Sequence, residues 1–360
     1  FKGRLGVDFA YYDKELSQQI VNQRLSYGTG FIFGLVNGGT FSNRGVEVQL
    51  TGKPLKSADF GWDVTLNFTQ LKTSVKNLPA DQPEYYNSDT WLFGNARASA
   101  FVANLPGYYP KDNSGEKNGN AAYRGINWDY YQRGMGTATA IGGYGYQRNK
   151  NGDVLINPLT GLPLTNNLFL PIGDRNPDFT IGLQNNFRFK NIQLSFLLDI
   201  RKGGDVFNGT AMYLWRNGLS TRSLDRDTPV TFKGVLRDGK EDTDNPTPNS
   251  IQVNPTLRSL DYFGAMPESE FVEKDINWLR LRDVSLSYQL PEAWLTRTKV
   301  IKTVGVYVNG TDLFLLTNYT GADPNVNGTT ATSGGVGAGG FDYGTLSLPR
   351  GFSFGVRVGF

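Results

Sequence analysis

Two chemically distinctive residue types are absent from this 360-residue chain, which contains no cysteine and no histidine. Without histidine the chain has no Ser-His-Asp triad, no histidine-ligated zinc ion and no imidazole to act as a general base at neutral pH. The lack of cysteine fits an envelope or extracellular location, although many cytosolic proteins share it. The missing histidine therefore removes several of the commonest routes to enzymatic catalysis.

Long apolar runs and a strong net charge are also missing. No stretch of 18 apolar residues occurs, so no membrane-spanning helix is expected. A membrane β-barrel is still compatible with this, because each of its strands needs only about 9–11 alternating residues. The 36 Lys and Arg nearly balance the 33 Asp and Glu, so no surface for nucleic acid or another polyanion is indicated.

The clearest pattern present is the strict alternation of the last nine residues. Successive side chains of a strand point to opposite faces, so one face of this strand is apolar and the other is small or charged. A final strand that ends on an aromatic residue is typical of outer-membrane β-barrels, where it acts as an assembly signal. The residues predicted to form this signal are Phe352, Phe354, Val356, Val358 and Phe360.

Similar alternation recurs along the chain and predicts eight strands. They lie near residues 1–11, 43–51, 62–69, 179–189, 192–201, 283–288, 304–309 and 352–360, with a bulge near Arg282. Long connections follow the first, third, fifth and seventh strands, at about 23–42, 76–176, 204–275 and 318–346. Short turns follow the others. This asymmetry favours an all-β fold, an antiparallel transmembrane β-barrel with long extracellular loops and short periplasmic turns.

The charged residues of these strands fall on the face opposite the apolar one. In a membrane barrel that face lines the lumen, whereas Val7, Leu66, Phe196, Val306 and Val356 would face lipid. A soluble eight-strand barrel would reverse this arrangement and pack the apolar side chains inside. The residues predicted to face the lumen are Asp8, Glu47, Asp63, Arg188, Asp199, Arg201 and Arg357.

Several motifs, taken together, resemble those of SusC/RagA-type TonB-dependent outer-membrane transporters of Bacteroidota. Members of that family have a barrel of about 22 strands, an N-terminal plug and a TonB box. They pair with a SusD-type surface lipoprotein and import oligosaccharides or peptides. The matching motifs include Asn43-Arg44-Gly45-Val46-Glu47, Gly173-Asp174-Arg175-Asn176-Pro177-Asp178, Arg201-Lys202-Gly203-Gly204-Asp205, Trp278-Leu279-Arg280-Leu281-Arg282-Asp283, Thr311-Asp312-Leu313-Phe314, Ala322-Asp323-Pro324 and Pro349-Arg350-Gly351-Phe352.

The order of these motifs matches the C-terminal third of such transporters, without the plug, the TonB box or the first strands. The chain is therefore expected to be the last part of a larger barrel, with no pairing between residues 1–11 and 352–360. Because residue 1 already lies in a strand pattern, an export signal is expected upstream of it. The resemblance implies TonB-dependent import. The alternatives are a passive or structural outer-membrane barrel, a scaffold of a surface complex, a small self-closed barrel, or a soluble β-rich domain.

Candidate binding residues are the aromatic side chains of the long loops, which suit sugar rings or extended peptides. The alternative is that they pack the loops onto one another or onto a lipoprotein cap. No catalytic residue, metal ligand or cofactor is predicted, and the segment Asn149–Asp153 is interpreted as a hairpin turn and not a calcium loop. The candidate substrate-binding residues are Tyr108, Tyr109, Tyr123, Trp128, Tyr130, Tyr131 and Trp215.

Overall fold

The computed structural model describes residues 3–24, 27–31, 33–78, 84–86, 96–101, 136–166, 169–224, 227–254, 266–295, 300–326 and 339–360. Eight long strands form one sheet, and each strand pairs antiparallel with its neighbours in sequence. The predicted eight-strand antiparallel architecture is confirmed. The strands are β1 Leu5–Leu16, β2 Thr40–Lys56, β3 Phe60–Asn77, β4 Phe179–Phe189, β5 Ile192–Lys202, β6 Trp278–Gln289, β7 Thr303–Thr317 and β8 Gly351–Gly359.

Strands β1 and β8 lie at the two edges of the sheet, and no ladder joins them within the described residues. This agrees with the expectation that residues 1–11 and 352–360 do not pair. Each edge strand therefore has one row of backbone groups without a partner strand in this sheet. An open edge of this kind requires a further strand if it lies in a membrane.

Several strands extend beyond the limits that alternation predicts. Strand β1 continues to Leu16, β3 to Asn77 and β7 to Thr317, all at the end where the long connections lie. In the extensions of β1 and β3 polar residues occupy both faces, whereas the run Leu313–Leu316 places apolar residues on both faces of β7. In each case the apolar alternation is lost although backbone pairing continues. The salt bridge between Arg44 and Asp13 (3.0 Å) joins the extension of β1 to β2.

The predicted bulge near Arg282 is confirmed. Leu197 of β5 pairs with Asp283, but the next residue, Leu198, pairs with Leu281, which leaves Arg282 as an extra residue. A second irregularity follows in β7, where Asp312 has a φ of 49°. Because a bulge changes the direction of a side chain, these two irregularities decide where Arg282 and Asp312 point.

The register divides the sheet into two faces, because residues directly opposite each other share a face. The polar face contains all seven residues that were predicted to face a lumen. The apolar face contains the five that were predicted to face lipid. One row on the polar face is Asp8, Gln49, Asn67, Gly182 and Asp199, and the adjacent row on the apolar face is Val7, Leu50, Leu66, Leu183 and Leu198.

The apolar face is exposed over a wide area. Val7, Phe354 and Val356 are 63%, 86% and 65% accessible. On β4 the apolar residues run from Phe179 to Phe189, about 33 Å along the strand, which at a tilt of 35–45° corresponds to a band about 25 Å tall. Soluble monomers rarely expose an apolar patch of this size, whereas it matches the lipid-facing band of an outer-membrane barrel.

Within the apolar band of β4, one position carries a polar side chain, and this side chain has a hydrogen-bond partner there. Asn185 of β4 is 6% exposed, and its Oδ1 accepts a hydrogen bond from Nε1 of Trp62 at 3.1 Å. The Trp62 ring also stacks on Phe187, with ring centroids 5.5 Å apart. The indole therefore contributes both apolar contact and the donor that a buried amide requires.

We expect Trp62→Phe to destabilise the protein by about 1–3 kcal/mol, because the Asn185 carbonyl loses its donor in an apolar environment. The double variant Trp62→Phe/Asn185→Val should recover most of this loss, since neither partner is then left unsatisfied. Urea unfolding in lipid vesicles measures both variants. If the double variant were as unstable as Trp62→Phe, the hydrogen bond would not be the source of the effect.

The four long connections all lie at one end of the sheet, because the strands run alternately up and down. Here we call their described parts the loop layer. Its core is a cluster of buried side chains that includes Ile141, Phe207, Met212, Phe271 and Phe341. No helix within the described ranges is long and apolar enough to cross a membrane.

The loop layer contains short strands and helices. Three two-stranded sheets pair Ile20–Arg24 with Phe33–Asn37, Val230–Thr231 with Gln252–Val253, and Leu155–Ile156 with Val235–Leu236. A three-stranded sheet places Val206–Asn208 between Val272–Glu273 and Phe341–Asp342. A four-stranded sheet contains, in spatial order, Leu170–Asp174, Ala140–Gly143, Arg97–Phe101 and Glu84–Tyr86. Helix α1 spans Gly209–Arg216, and 3-10 turns lie at Tyr27–Thr29, Thr221–Ser223 and Glu268–Phe271. Helix α2, Glu292–Leu295, lies in the connection between β6 and β7.

Candidate functional site

A chain of ion pairs lies on the polar face, at the end next to the loop layer. Arg280 is 2% exposed and pairs with Asp312 (3.3 Å) and with the equally buried Asp323. Arg282 pairs with Asp199 (3.1 Å) and approaches Asp312 (3.7 Å). We call these five residues the ion-pair cluster. Because Asp323 belongs to the connection after β7, the cluster fixes that connection to the wall formed by β5, β6 and β7.

The two bulges explain how the cluster is assembled. Arg280 lies directly opposite Asp199 on the polar face, and Arg282, the extra residue of the first bulge, forms its ion pair with the same Asp199. Asp312 has its positive φ in the second irregularity, and its carboxylate lies 3.3 Å from Arg280 and 3.7 Å from Arg282. Asp323 also accepts the backbone N–H of Asn325 (2.9 Å), which shapes the loop around the ion pair.

A second group of polar contacts closes the loop layer over the start of β4 and the end of β5. Asp205 is 1% exposed, and its carboxylate accepts the backbone N–H groups of Asp174 (2.8 Å) and Asp275 (3.2 Å). Lys274 forms an ion pair with the same carboxylate at 3.0 Å. Gly203, next to this group, has a φ of 76°, a conformation that favours glycine.

Arg201 connects this group to the wall. Its Nη2 donates to the carbonyl of Arg175 at 2.7 Å, and its guanidinium carbon lies 4.9 Å from the centroid of the Trp278 ring. Arg175 in turn donates to the carbonyls of Thr139 (3.2 Å) and Gly339 (2.8 Å). The predicted lumen-facing Arg201 is therefore held by loop carbonyls and an indole ring, and its donors are largely occupied.

A buried carboxylate joins helix α1 to the connection between β7 and β8. Asp342 is 2% exposed and accepts hydrogen bonds from Thr210 Oγ1 (2.8 Å) and from the Tyr319 hydroxyl (2.7 Å). Burial, followed by the hydrogen bond to Asp342, raises the pKa of the Tyr319 phenol above its ordinary value. Tyr319 therefore stays protonated and keeps donating to Asp342.

We expect Tyr319→Phe to cost about 1.5–3 kcal/mol, the usual contribution of a hydrogen bond to a charged group. In the unfolded chain tyrosine ionises near pH 10, whereas folded Tyr319 holds its proton to higher pH, so the folded state binds more protons there. Stability should therefore fall as pH rises above about 10, and less steeply in Tyr319→Phe. Unfolding in micelles between neutral and alkaline pH measures this, and identical slopes for both proteins would contradict it.

Four of the predicted lumen-facing residues line open grooves on the polar face. Arg188 and Arg357 line a groove of about 590 Å³ near the short turns, together with Lys190. Asp8 and Glu47 line another, of about 240 Å³. These residues share one face with Asp63, Asp199 and Arg201, but the structure does not bring them to a single point. Their exposure to a lumen stays a prediction.

Only one of the predicted substrate-binding aromatic residues falls within the described ranges. Trp215 lies on α1, is 9% exposed and packs in the core of the loop layer, and the guanidinium carbon of Arg222 is 4.9 Å from its ring centroid. This placement matches the alternative in which loop aromatics pack the loops together. Tyr108, Tyr109, Tyr123, Trp128, Tyr130 and Tyr131 lie outside the described residues.

The segment Asn149–Asp153 forms a tight turn stabilised by its own side chain. Asn149 Oδ1 accepts the backbone N–H groups of Asn151 (3.0 Å) and Asp153 (2.7 Å), and the Gly152 N–H donates to the Asn149 carbonyl (3.0 Å). These contacts confirm the hairpin-turn interpretation. In the part of the chain that the structure describes, no group of three or more acidic side chains is placed to hold a metal ion.

The motifs that suggested a family resemblance meet in this region. The motif that begins at Gly173 and the one that ends at Asp205 contact each other through Asp174 and Asp205. The motifs around Arg280, Asp312 and Asp323 form the ion-pair cluster. Sequence reasoning singled out the motifs but missed the roles of Arg280, Asp312 and Asp323, because pairs between separate strands leave no periodic signal.

The sheet is a long antiparallel meander with one exposed apolar face and one charged face, and a folded layer of long loops lies at one end. These features are those of the wall of a large outer-membrane-type β-barrel. Sequence comparison agrees, although no family model matches. The chain is 25% identical over 369 residues to TonB-dependent receptor P3 of Formosa agariphila, covering 100% of this chain and 33% of that protein. It is 23% identical over 335 residues to TonB-dependent receptor SusC of Bacteroides thetaiotaomicron, covering 90% of this chain and 28% of SusC.

Structural comparison finds the same fold in the RagAB peptide transporter, with a TM-score of 0.62 at 17% identity, over 99% of this chain and 34% of that one. At this identity the likeness shows the fold alone. The predicted resemblance to SusC/RagA-type TonB-dependent transporters is confirmed, and such transporters are outer-membrane proteins. The chain spans about a third of the length of the relatives it matches, a share that fits the predicted C-terminal portion.

Proposed function

We propose that the chain forms the C-terminal part of the wall, with its outer loops, of a TonB-dependent outer-membrane importer of oligosaccharides or peptides. The observation that carries this proposal is the segregation of the sheet into an exposed apolar face and a charged face. The apolar face contacts outer-membrane lipid, and the charged face lines the passage. Similarity to TonB-dependent receptors along the whole chain supports this orientation.

Further parts of the polypeptide complete the importer. The free edges of β1 and β8 each require a partner strand, because unpaired backbone groups in lipid cost several kcal/mol apiece. The chain also covers only about a third of its relatives. We therefore assign the remaining strands, a plug and the contact with the TonB complex to residues outside this sequence.

The loop layer is the proposed site for a SusD-like surface lipoprotein and for substrate. Its segments are tied to one another through Asp205 and Asp342 and to the wall through the ion-pair cluster, so it presents a defined surface at the mouth of the passage. Loop aromatic residues contact substrate by stacking, while Trp215 supports the loop core. The chain performs no bond chemistry in this proposal, because its task is passage and recognition.

Energy dependence tests the proposal. A host that depends on the complete protein for growth on an oligosaccharide or peptide source should lose uptake when its tonB gene is deleted, and should regain it on complementation. A passive or structural barrel would give uptake that is indifferent to tonB, or no uptake at all. Either of those results would overturn the proposal in favour of the passive or structural alternative.

A further inference from the structure

The apolar face ends in a charged rim next to the loop layer. Its last fully apolar row contains Phe9, Val48 and Phe68, and the next row contains Tyr11, Val46 and Gln70. Two residues further along each strand, Asp13, Arg44 and Lys72 stand side by side on the same face. If the apolar face lies in lipid, as the proposed function requires, these rows lie at the level of the headgroups on the long-loop side.

Arg44 and Lys72 are directly opposite each other across β2 and β3. Like charges in this position are unfavourable unless another group compensates them. The only acid in their row is Asp13, which pairs with Arg44 at 3.0 Å, and this pair is well exposed, with 63% of the Arg44 side chain and 43% of the Asp13 side chain accessible. Two bases against one acid leave this row with a net positive charge directly above the apolar band.

The same residues line a groove of about 480 Å³, which we call the rim groove. It is lined by Tyr11, Val46 and Gln70 beside Arg44 and Lys72, and by Asn176 and Pro177. Two acids, Asp174 and Asp178, also line it. Asp174 accepts the Thr139 hydroxyl at 2.7 Å, and the Asp178 carboxylate lies against Gly203. The groove therefore places an aromatic ring, an amide and the two cations of the positive row at the edge of an apolar surface, with two carboxylates on its border.

We propose that the rim groove binds the phosphate group of a membrane lipid, whose acyl chains lie on the apolar face below it. Arg44 and Lys72 contact the phosphate, Gln70 and Tyr11 offer hydrogen bonds to the headgroup, and Val48 and Phe68 contact the chains. The net positive charge of the row of Asp13, Arg44 and Lys72 favours an anionic headgroup, and the continuous apolar face favours a lipid over a soluble anion. The inference depends on the membrane orientation in the proposed function.

Lipid titration tests the rim groove. Diphosphorylated lipid A is added to the complete protein in detergent, and the bound fraction is measured by native mass spectrometry. We expect the double variant Arg44→Gln/Lys72→Gln to bind it about tenfold or more weakly, since each basic group near an anionic surface contributes roughly a fivefold effect. The matched control Lys53→Gln/Lys56→Gln removes the same charge from β2 near its short turn and should bind as the wild type does.

Three results would overturn the proposal: equal binding by the two double variants, equal binding of dephosphorylated lipid A by the wild type, or displacement of lipid A by comparable concentrations of inorganic phosphate. The last would assign the groove to a soluble anion. Membrane insertion is scored separately by heat-modifiable gel mobility. A protein that inserts but shows no headgroup preference refutes the rim groove alone, whereas failure of the wild type to insert refutes the proposed function.

Discussion

Arg280→Ala should destabilise the protein by about 3–5 kcal/mol, because it leaves Asp323 as an uncompensated charge in a buried site. Arg280 and Asp323 both have side chains that are only 3% exposed. Urea unfolding of the protein in vesicles measures the loss. We also expect the connection after β7 to become sensitive to protease, since its ion pair to the wall is gone.

Arg282→Ala is the matched control, because Arg282 belongs to the same cluster but is 30% exposed. Its loss should be near 1 kcal/mol, in the range of partly exposed ion pairs. The double variant Arg280→Met/Asp323→Leu should recover most of the stability lost by Arg280→Ala, as replacement of a buried ion pair by apolar residues is often nearly neutral. Equal losses for Arg280→Ala and Arg282→Ala would show that burial does not decide the energetics of the cluster.

Val356→Arg should disturb assembly in the membrane. Val356 lies near the middle of β8 on the apolar face, and an Arg at mid-membrane on the lipid side of a barrel costs about 2–4 kcal/mol. Ser353→Arg places the same side chain on the polar face of the same strand and should cost less. Heat-modifiable gel mobility of outer-membrane fractions measures both. If Val356→Arg assembled as well as Ser353→Arg, the apolar face would not contact lipid.

The sheet was predictable from the sequence because its strands alternate with a period of two. All eight strands, the short turn at Lys190–Asn191 and the bulge near Arg282 follow from that pattern and from the point where it changes phase. The residues of the polar face could be predicted as well. A shift of one residue in register would exchange the two faces of a strand, so the apolar pattern fixes which residues lie on each face. The alternation that defines each strand depends only on residues that are close in sequence, so a single sequence is enough to predict the strand and its two faces.

The loop layer was not predictable in the same way. Its core depends on contacts between distant segments, such as Phe207 with Phe341 and Tyr319 with Asp342. These contacts need no periodic pattern, and the strands they form are only two to five residues long. Trp215 illustrates the consequence: an aromatic residue in a polar loop is equally compatible with an exposed binding surface and with a buried core until the partners are known.

Solvent accessibility along β8 tests the central claim most directly. These 360 residues contain no cysteine, so a single cysteine introduced at each position from 352 to 358 in turn gives one spin label at a known position. In the complete, membrane-inserted protein we predict that labels at 352, 354, 356 and 358 are accessible to oxygen dissolved in lipid. Labels at 353, 355 and 357 should be accessible to a water-soluble nickel complex. Accessibility without a period of two, or with the opposite phase, would contradict the assignment of the apolar face to lipid and of the charged face to the passage.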